Sequence, residues 1–101
     1  MLRRLFGGSR FLKKMNTLME VYARSHNAEM TYKELLRLEP LIRLEGELYL
    51  YQLNKAALLY DMRQFREAAD IVLDIPPFNP ELDAQCASLK TKIMEAMSRT
   101  R

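Results

Sequence analysis

The stretch LLYDMRQFREAADIVLDI, residues 58–75, decides the fold of this 101-residue chain. Helix-forming residues with large apolar side chains lead up to Phe65, and a second run with helical spacing begins almost at once. Apolar residues three and four positions apart share one face of an α-helix. The stretch therefore predicts two antiparallel helices joined by a turn of very few residues.

The composition is that of a small globular domain rich in helix formers. Apolar residues make up 49% of the chain and charged residues 29%, with three glycines, four prolines and no tryptophan. No apolar run approaches the roughly 18 residues that a membrane-spanning helix needs. The single cysteine, Cys86, excludes an internal disulfide, and we expect a cytoplasmic protein.

Helix start and stop residues divide the chain into five predicted helices. Ser9 and Asn79 precede runs of helix formers, as N-cap residues do, and Asn27 marks either the end of the first helix or the cap of the second. Pro40 closes the second helix. The predicted helices are 10–26, 28–39, 41–62, 65–75 and 80–98. We expect an all-α fold, with a basic segment at 1–10 and one helical domain at 11–101.

Apolar residues at helical spacing predict which face of each helix is buried. The first helix carries Phe11, Met15, Leu18, Met19 and Tyr22. The third carries Leu44, Leu48, Tyr51, Ala56, Leu58 and Leu59, the fourth Phe65, Ala68, Ala69, Val72 and Ile75, and the fifth Leu82, Cys86, Leu89, Ile93 and Met97. We expect these positions to form the core.

Two pairs of residues show a weak internal repeat. Ala28 and Ala68 each follow a tight turn, Pro40 and Pro80 each end a unit, and both pairs are 40 residues apart. One helical hairpin cannot bury its apolar face alone, so hairpins stack on one another and a terminal helix covers the last exposed side. We expect repeat one at about 12–40, repeat two at about 41–80 and a capping helix at about 80–98.

The second unit resembles the tetratricopeptide repeat. In the stretch 53–80, Ala56 takes the place of the small residue in the first helix, Phe65 the turn aromatic, Ala68 the small packing residue and Pro80 the closing proline. The first unit departs from the pattern, because Asn16 replaces the small residue. The resemblance covers about 12–98 and implies a short right-handed stack of antiparallel helical hairpins.

The resemblance also implies a binding surface. In tetratricopeptide arrays the first helix of each pair lines the inner face of the stack, where ligands lie. Carried onto this chain, the corresponding groove positions are Thr17, Glu20, Leu53, Ala57, Tyr60 and Asp61. They do not form the Lys/Arg carboxylate clamp of some chaperone-binding members, so we expect an extended segment or a helix of a partner protein rather than an acidic C-terminal peptide.

No pattern in the chain indicates catalysis, and we expect neither an enzyme nor a cofactor or metal. His26 is the only histidine, near a helix end where a solvated residue is typical, and Cys86 lies on an apolar face. Gly7-Gly8 lacks the Lys-Ser/Thr that a phosphate-binding loop requires. The acidic residues Glu45, Glu47, Asp61, Glu67, Asp70 and Asp74 are expected on helix surfaces, with no catalytic pair among them.

The positive charge of the chain lies at its N-terminal end. The formal net charge is +3, and the first acidic residue, Glu20, follows the basic residues Arg3, Arg4, Arg10, Lys13 and Lys14. The rest is net acidic, so we expect no nucleic-acid partner. The segment fits a mitochondrial targeting sequence, a contact with anionic membranes through Leu2, Leu5, Phe6 and Phe11, or an ordinary charged terminus.

The sequence supports three hypotheses about function. The first is a non-catalytic protein-interaction module, such as a scaffold, adaptor or chaperone-like protein, which holds a partner in its groove. The second is a self-assembling subunit, an obligate homo- or hetero-oligomer, because two repeats fall short of the usual three. The third is a membrane-surface adaptor. Met15, Met19, Met30, Met94 and Met97 either fill the core or form an adaptable binding surface.

Overall fold

A computed structural model of the chain describes residues 9–99 and shows an all-α protein. Five α-helices and one 3-10 turn (Glu39–Leu41) account for this range, which contains no strand. The helices are α1 (Arg10–Ser25), α2 (Ala28–Leu36), α3 (Glu45–Asp61), α4 (Phe65–Asp74) and α5 (Pro80–Arg99). The predicted all-α class and the predicted number of helices are confirmed.

Three of the helices begin at the caps that the sequence predicts. The side chains of Ser9 and Asn27 accept hydrogen bonds from the backbone N–H groups of Leu12 and Met30, both at 3.1 Å. Asn79 Oδ1 accepts one from Leu82 N–H at 2.8 Å. Each cap satisfies one of the N–H groups that the first turn of a helix leaves without a partner.

The predicted bounds of α2 and α3 are wrong by several residues. Helix α2 ends at Leu36 rather than Glu39, and Pro40 lies inside the 3-10 turn. Helix α3 begins at Glu45 rather than Leu41, because Leu44 is extended, with φ −120° and ψ 153°. The sequence 41–44 therefore forms the approach to α3 and not its first turn.

Glu47 fixes the start of α3, although the sequence placed it on the surface. Its side chain is 1% exposed, and its Oε1 accepts hydrogen bonds from the backbone N–H of Arg43 at 2.8 Å and of Leu44 at 3.3 Å. Burial acts to raise the pKa of Glu47, but these N–H groups and the hydroxyl of Ser9 outweigh it, so the pKa lies below its ordinary value. The carboxylate ties the chain entering α3 to its first turn.

The turn between α3 and α4 has the hydrogen bonds of a Schellman motif. Gln64 N–H donates to Leu59 C=O at 2.8 Å, and Arg63 N–H donates to Tyr60 C=O at 3.0 Å. Arg63 adopts the left-handed conformation, with φ 64°, which glycine usually takes at this position. This motif reverses the chain so quickly that α4 begins at Phe65.

Helix α3 lies at the centre of the core. Three clusters of buried side chains join it to its neighbours: Tyr49, Leu50 and Leu53 with Leu12 and Leu82; Tyr51 and Leu58 with Phe11, Met15, Leu35 and Leu38; Ala56 and Leu59 with Ala68, Ala69, Val72 and Ile93. The predicted close contact between α3 and α4 is confirmed at Ala56 and Ala68, both 0% exposed. Each helix packs against the next along the chain.

Two residues predicted to be buried are exposed, and two alanines predicted to occupy equivalent helix positions do not. Leu44 and Leu48 are 49% and 46% exposed, because they face away from all three clusters. Ala28 is the first residue of α2, whereas Ala68 is the fourth residue of α4. The 40-residue spacing in the sequence therefore does not join equivalent helix positions.

Replacing Glu47 should make stability less sensitive to acid. Glu47→Gln removes a carboxylate whose pKa is lower in the folded chain, so the stability it supplies is present above its unfolded pKa of about 4.5 and is lost as pH falls through the folded pKa. We expect the variant to lose about 1 kcal/mol in the free energy of unfolding at pH 7 and to approach wild type in acid. Urea denaturation at several pH values measures this.

The control for that experiment is Glu95→Gln, an exposed position on α5. This variant should follow the wild-type stability at every pH. A constant difference between Glu47→Gln and wild type from neutral to acidic pH would contradict the role assigned to the ionised carboxylate.

Arg63→Gly should stabilise the protein. Glycine adopts positive φ without the steric cost that an arginine pays, so the free energy of unfolding should rise by about 0.5–1 kcal/mol. Lys90→Gly, in the exposed middle of α5, is the matched control and should lower it by a similar amount. If urea denaturation shows both variants to be less stable than wild type, the turn geometry assigned to Arg63 is wrong.

Candidate functional site

The structure does not gather the six predicted groove residues into one surface. Thr17, Glu20 and Asp61 are exposed, Ala57 and Tyr60 are half-buried, and Leu53 is buried. Leu53 is a correction, since it is 7% exposed and packs with Tyr49, Leu50 and Leu82 in the core. The hydroxyl of Thr17 donates to the backbone C=O of Lys13, four residues earlier on the same helix.

Asp61 links the last turns of α1 and α3. It accepts a short hydrogen bond from the hydroxyl of Tyr22, which lies on α1. Burial, this hydrogen bond and the negative charge of Asp61 together raise the pKa of Tyr22 to about 12. Asp61 therefore has a structural partner within the fold.

Tyr60 lies in the last turn of α3, next to the turn into α4. Its ring lies 5.6 Å, centroid to centroid, from the ring of Phe65. Tyr60 and Asp61 line a cavity of about 410 Å³ together with Arg63, Phe65, Ala96 and Arg99. Glu20 does not line this cavity.

Glu20 lies in a groove that crosses α1, α3 and α5, which we call the three-helix groove. It has a volume of about 830 Å³. Its lining residues are Leu12, Met15, Asn16, Met19, Glu20 and Ala23 of α1, Leu50 and Asn54 of α3, and Glu81 and Gln85 of α5. The predicted binding surface lies on α1 and α3, whereas the sequence predicts α5 to be a capping helix.

The groove combines apolar floor residues with side-chain amides. Leu12 and Met15 are 5% and 3% exposed, so they form the floor, and Met19 is half-buried beside them. The amide of Asn54 donates to the backbone C=O of Leu50 at 2.8 Å, which orients its oxygen. Amides both donate and accept hydrogen bonds, so they suit a peptide backbone.

The sequence holds a signal for this groove that position within a repeat does not reveal. Asn16 and Glu20, Leu50 and Asn54, and Glu81 and Gln85 are pairs four residues apart, each on one face of its helix. Only the packing of α1, α3 and α5 brings these pairs together. The two glutamates are the charged members, and no lysine or arginine within 9–99 lines the groove.

Two tyrosines tie helices together in the core. Tyr49 donates to Asp83 at 2.9 Å and Tyr51 donates to Glu39 at 3.0 Å. Burial, followed by these hydrogen bonds, raises the pKa of both tyrosines. Cys86 lies beside Tyr49 and is half-buried, and within residues 9–99 no three acidic, cysteine or histidine side chains gather as a metal site.

The basic residues predicted for membrane or anion contact lie only partly within the described range. Arg3 and Arg4 fall outside it, together with Leu2, Leu5 and Phe6. Arg10, Lys13 and Lys14 are exposed on the first turns of α1, whereas Phe11 is 0% exposed and cannot enter a lipid interface. Between residues 9 and 99 there is no helix of the length and apolar character that crossing a bilayer would require.

Comparison of the chain with protein-family models, with curated proteins and with solved structures finds no match. The structure thus shows an all-helical protein with an open groove lined by three of its helices.

Asp61→Asn should lower the pKa of Tyr22 from about 12 towards 10.0, because the negative charge beside the hydroxyl disappears while the burial remains. NMR titration of the ring carbon that bears the hydroxyl measures the change. Because the pKa of Tyr22 is raised in the folded chain, this contact stabilises the fold fully below pH 10.0. That stability is lost as pH rises through about 12. The control Asp70→Asn should leave the titration unchanged, and an unchanged titration in Asp61→Asn would contradict the link.

Proposed function

We propose that the chain is a non-catalytic protein-interaction module that binds a segment of a partner protein in the three-helix groove. The observation that carries this proposal is the groove itself. Its volume of about 830 Å³ is in the range of ligand sites, and its floor is apolar with amides along it. A scaffold, adaptor or chaperone-like role requires such a surface and no reactive group.

The groove residues suit a peptide chain better than a rigid small molecule. Met15 and Met19 present unbranched thioether side chains that repack around different partners. Asn16, Asn54 and Gln85 line the groove from three different helices, and their amides can pair with the donors and acceptors of an extended backbone. An extended segment or one face of a helix would fill this surface.

The charge of the groove limits the partner. Glu20 and Glu81 flank the amides, and the part of the groove that the structure describes contains no base. An acidic segment would place like charges close together, which costs affinity. The partner segment is therefore neutral or basic, in agreement with the absence of a Lys/Arg clamp in the sequence.

The resemblance to tetratricopeptide repeats supports the same surface. That family places its ligands on the first helices of successive pairs, and the resemblance assigns this position to α1 and α3, which both line the groove. The resemblance itself stays a prediction, and the proposal does not require it, since the groove is defined by the packing of the three helices.

Self-assembly is the second candidate function, and a separate observation favours it. Leu44, Leu48 and Leu73 are large apolar side chains that are 49%, 46% and 58% exposed. A second copy or another subunit would cover them in an oligomer. This alternative uses the outer side of α3 and α4 and leaves the three-helix groove without a role.

A selection from a random peptide library displayed on phage, with the full chain as target, tests the proposed function. Peptides that bind should lose about tenfold in affinity when Asn16→Arg and Gln85→Arg are combined, because both exposed positions then project long side chains into the groove. Ser88→Arg, also exposed on α5 but outside the groove, is the matched control and should bind as wild type.

Two results would contradict the proposal. One is a set of selected peptides whose affinity for the Asn16→Arg/Gln85→Arg variant equals that for wild type. The other is binding that perturbs NMR signals only on the α4 side of α3. Circular dichroism confirms in either case that the variant is folded.

A further inference from the structure

A second cavity lies on the other side of α3 from the three-helix groove. It has a volume of about 530 Å³ and is bounded by the first half of α3, the second half of α4 and the segment Pro76-Pro77-Phe78; we call it the proline pocket. On α3, Leu48 lines the proline pocket and Leu50 lines the groove. Residues two apart on a helix are turned by about 200°, so the two surfaces face opposite ways.

The walls of the proline pocket are apolar and remain open to solvent. Leu48 and Phe78 are 46% and 42% exposed, and Ile71 and Ile75 are half-buried beside them. Leaving two such large apolar side chains exposed to water beside one another does not stabilise the fold. The arrangement is typical of a surface that another molecule covers.

The wall formed by Phe78 is held in place from α5. Asp83 Oδ1 accepts hydrogen bonds from the backbone N–H of Phe78 and from the hydroxyl of Tyr49, both at 2.9 Å. The ring centroids of Tyr49 and Phe78 lie 5.9 Å apart. Pro76 and Pro77 restrict the backbone that leads to Phe78. The pocket is therefore shaped before any partner arrives.

Three carboxylates line this apolar cavity and have no side-chain partner among residues 9–99. Glu45, Asp70 and Asp74 line it, and none of them makes a hydrogen bond or ion pair through its side chain to another residue in 9–99. No lysine or arginine of that range lines the cavity. Their negative potential is therefore not neutralised within the described part of the fold.

The position of two of these acids on α4 disfavours the helix. Asp70 and Asp74 lie in its last two turns, Asp74 is its final residue, and no basic residue lies in the last turn. The C-terminal end of a helix carries partial negative charge, so acids there oppose the helix dipole. Charged residues that oppose the helix dipole without stabilising the fold in another way are expected at functional surfaces.

We propose that the proline pocket is a second docking site, and that it binds a segment of a partner protein in which a large apolar side chain lies between arginines or lysines. The apolar side chain enters the cavity between Leu48, Ile71 and Phe78. The flanking cations pair with Glu45, Asp70 and Asp74 at the edge. Arginine suits this role best, since its planar group binds carboxylates through two hydrogen bonds.

This site gives the chain a property that the three-helix groove alone does not. Two segments bound on opposite faces of α3 do not compete for space, so one copy of the chain joins two partner segments. The proline pocket does not depend on the groove, and each site is tested by its own variants.

The test uses fluorescence anisotropy with the full chain and a labelled peptide, Arg-Leu-Arg-Phe-Leu-Arg. We expect binding that weakens with salt, that is absent for the peptide with glutamate in place of each arginine, and that is lost when serine replaces phenylalanine. In the protein, Asp70→Asn combined with Asp74→Asn should weaken binding about tenfold, since two ion pairs are lost.

The matched control is Glu29→Gln combined with Glu95→Gln, two exposed positions that line neither the proline pocket nor the three-helix groove, which changes the net charge by the same amount. It should leave the affinity for this peptide as in wild type. Equal weakening by both double variants would show attraction to net charge alone and would overturn the proposal. No binding to the wild-type chain would overturn it as well, while leaving the phage selection for the groove unaffected.

Two other occupants give different results. If the peptide reaches the pocket only in the variant Arg3→Gln/Arg4→Gln, the chain's own basic segment occupies the site, and the assignment to a partner protein is overturned. If wild type alone tumbles more slowly at high concentration by NMR relaxation, and Asp70→Asn/Asp74→Asn abolishes this, a second copy is the occupant and the assignment again falls.

Discussion

The packing of α3 against three groups of neighbouring side chains is the constraint on which the rest of the structure depends. Leu53, Leu58 and Ala56 are 7%, 0% and 0% exposed, and they meet three different groups of neighbouring side chains. A helix buried in this way must be covered from several directions at once. The short turn at Arg63 and the tyrosine hydrogen bonds to Asp61 and Asp83 hold other helices against it. The Glu47 cap and the hydrogen bond from Tyr51 to Glu39 fix the segment that leads into it.

The fold class and most helix ends could be predicted because their signals are local. Ser9, Asn27 and Asn79 cap their helices through residues three positions away, and the α3–α4 hairpin follows from the spacing of apolar residues up to Phe65 and beyond. The start of α3 could not be predicted, because the carboxylate of Glu47 folds back onto Arg43 and Leu44 and the sequence gives an acid no visible reason to be buried. The exposure of Leu44 and Leu48 likewise depends on where the neighbouring helices end.

The candidate site was harder to predict than the fold for the same reason. Choosing site residues by their position in a repeat selected Leu53 and Asp61. Leu53 is buried in the core, and Asp61 accepts a hydrogen bond from Tyr22. Of the six predicted positions only Glu20 lines the three-helix groove. The pairs that do line it, such as Leu50 with Asn54, become a surface only through the packing of distant helices. Spacing within one helix indicates a face, but the neighbours decide whether that face is a groove or part of the core.

The central claim is that one chain completes its own core and keeps the three-helix groove open for a partner. The solution mass of the purified chain, measured by light scattering over a wide range of concentration, tests this most directly. A folded species of 11.9 kDa at every concentration is the result that the account predicts. A species of twice that mass that persists at the lowest concentration would contradict it, because the chain would then be a self-assembling subunit whose helices are completed by another copy.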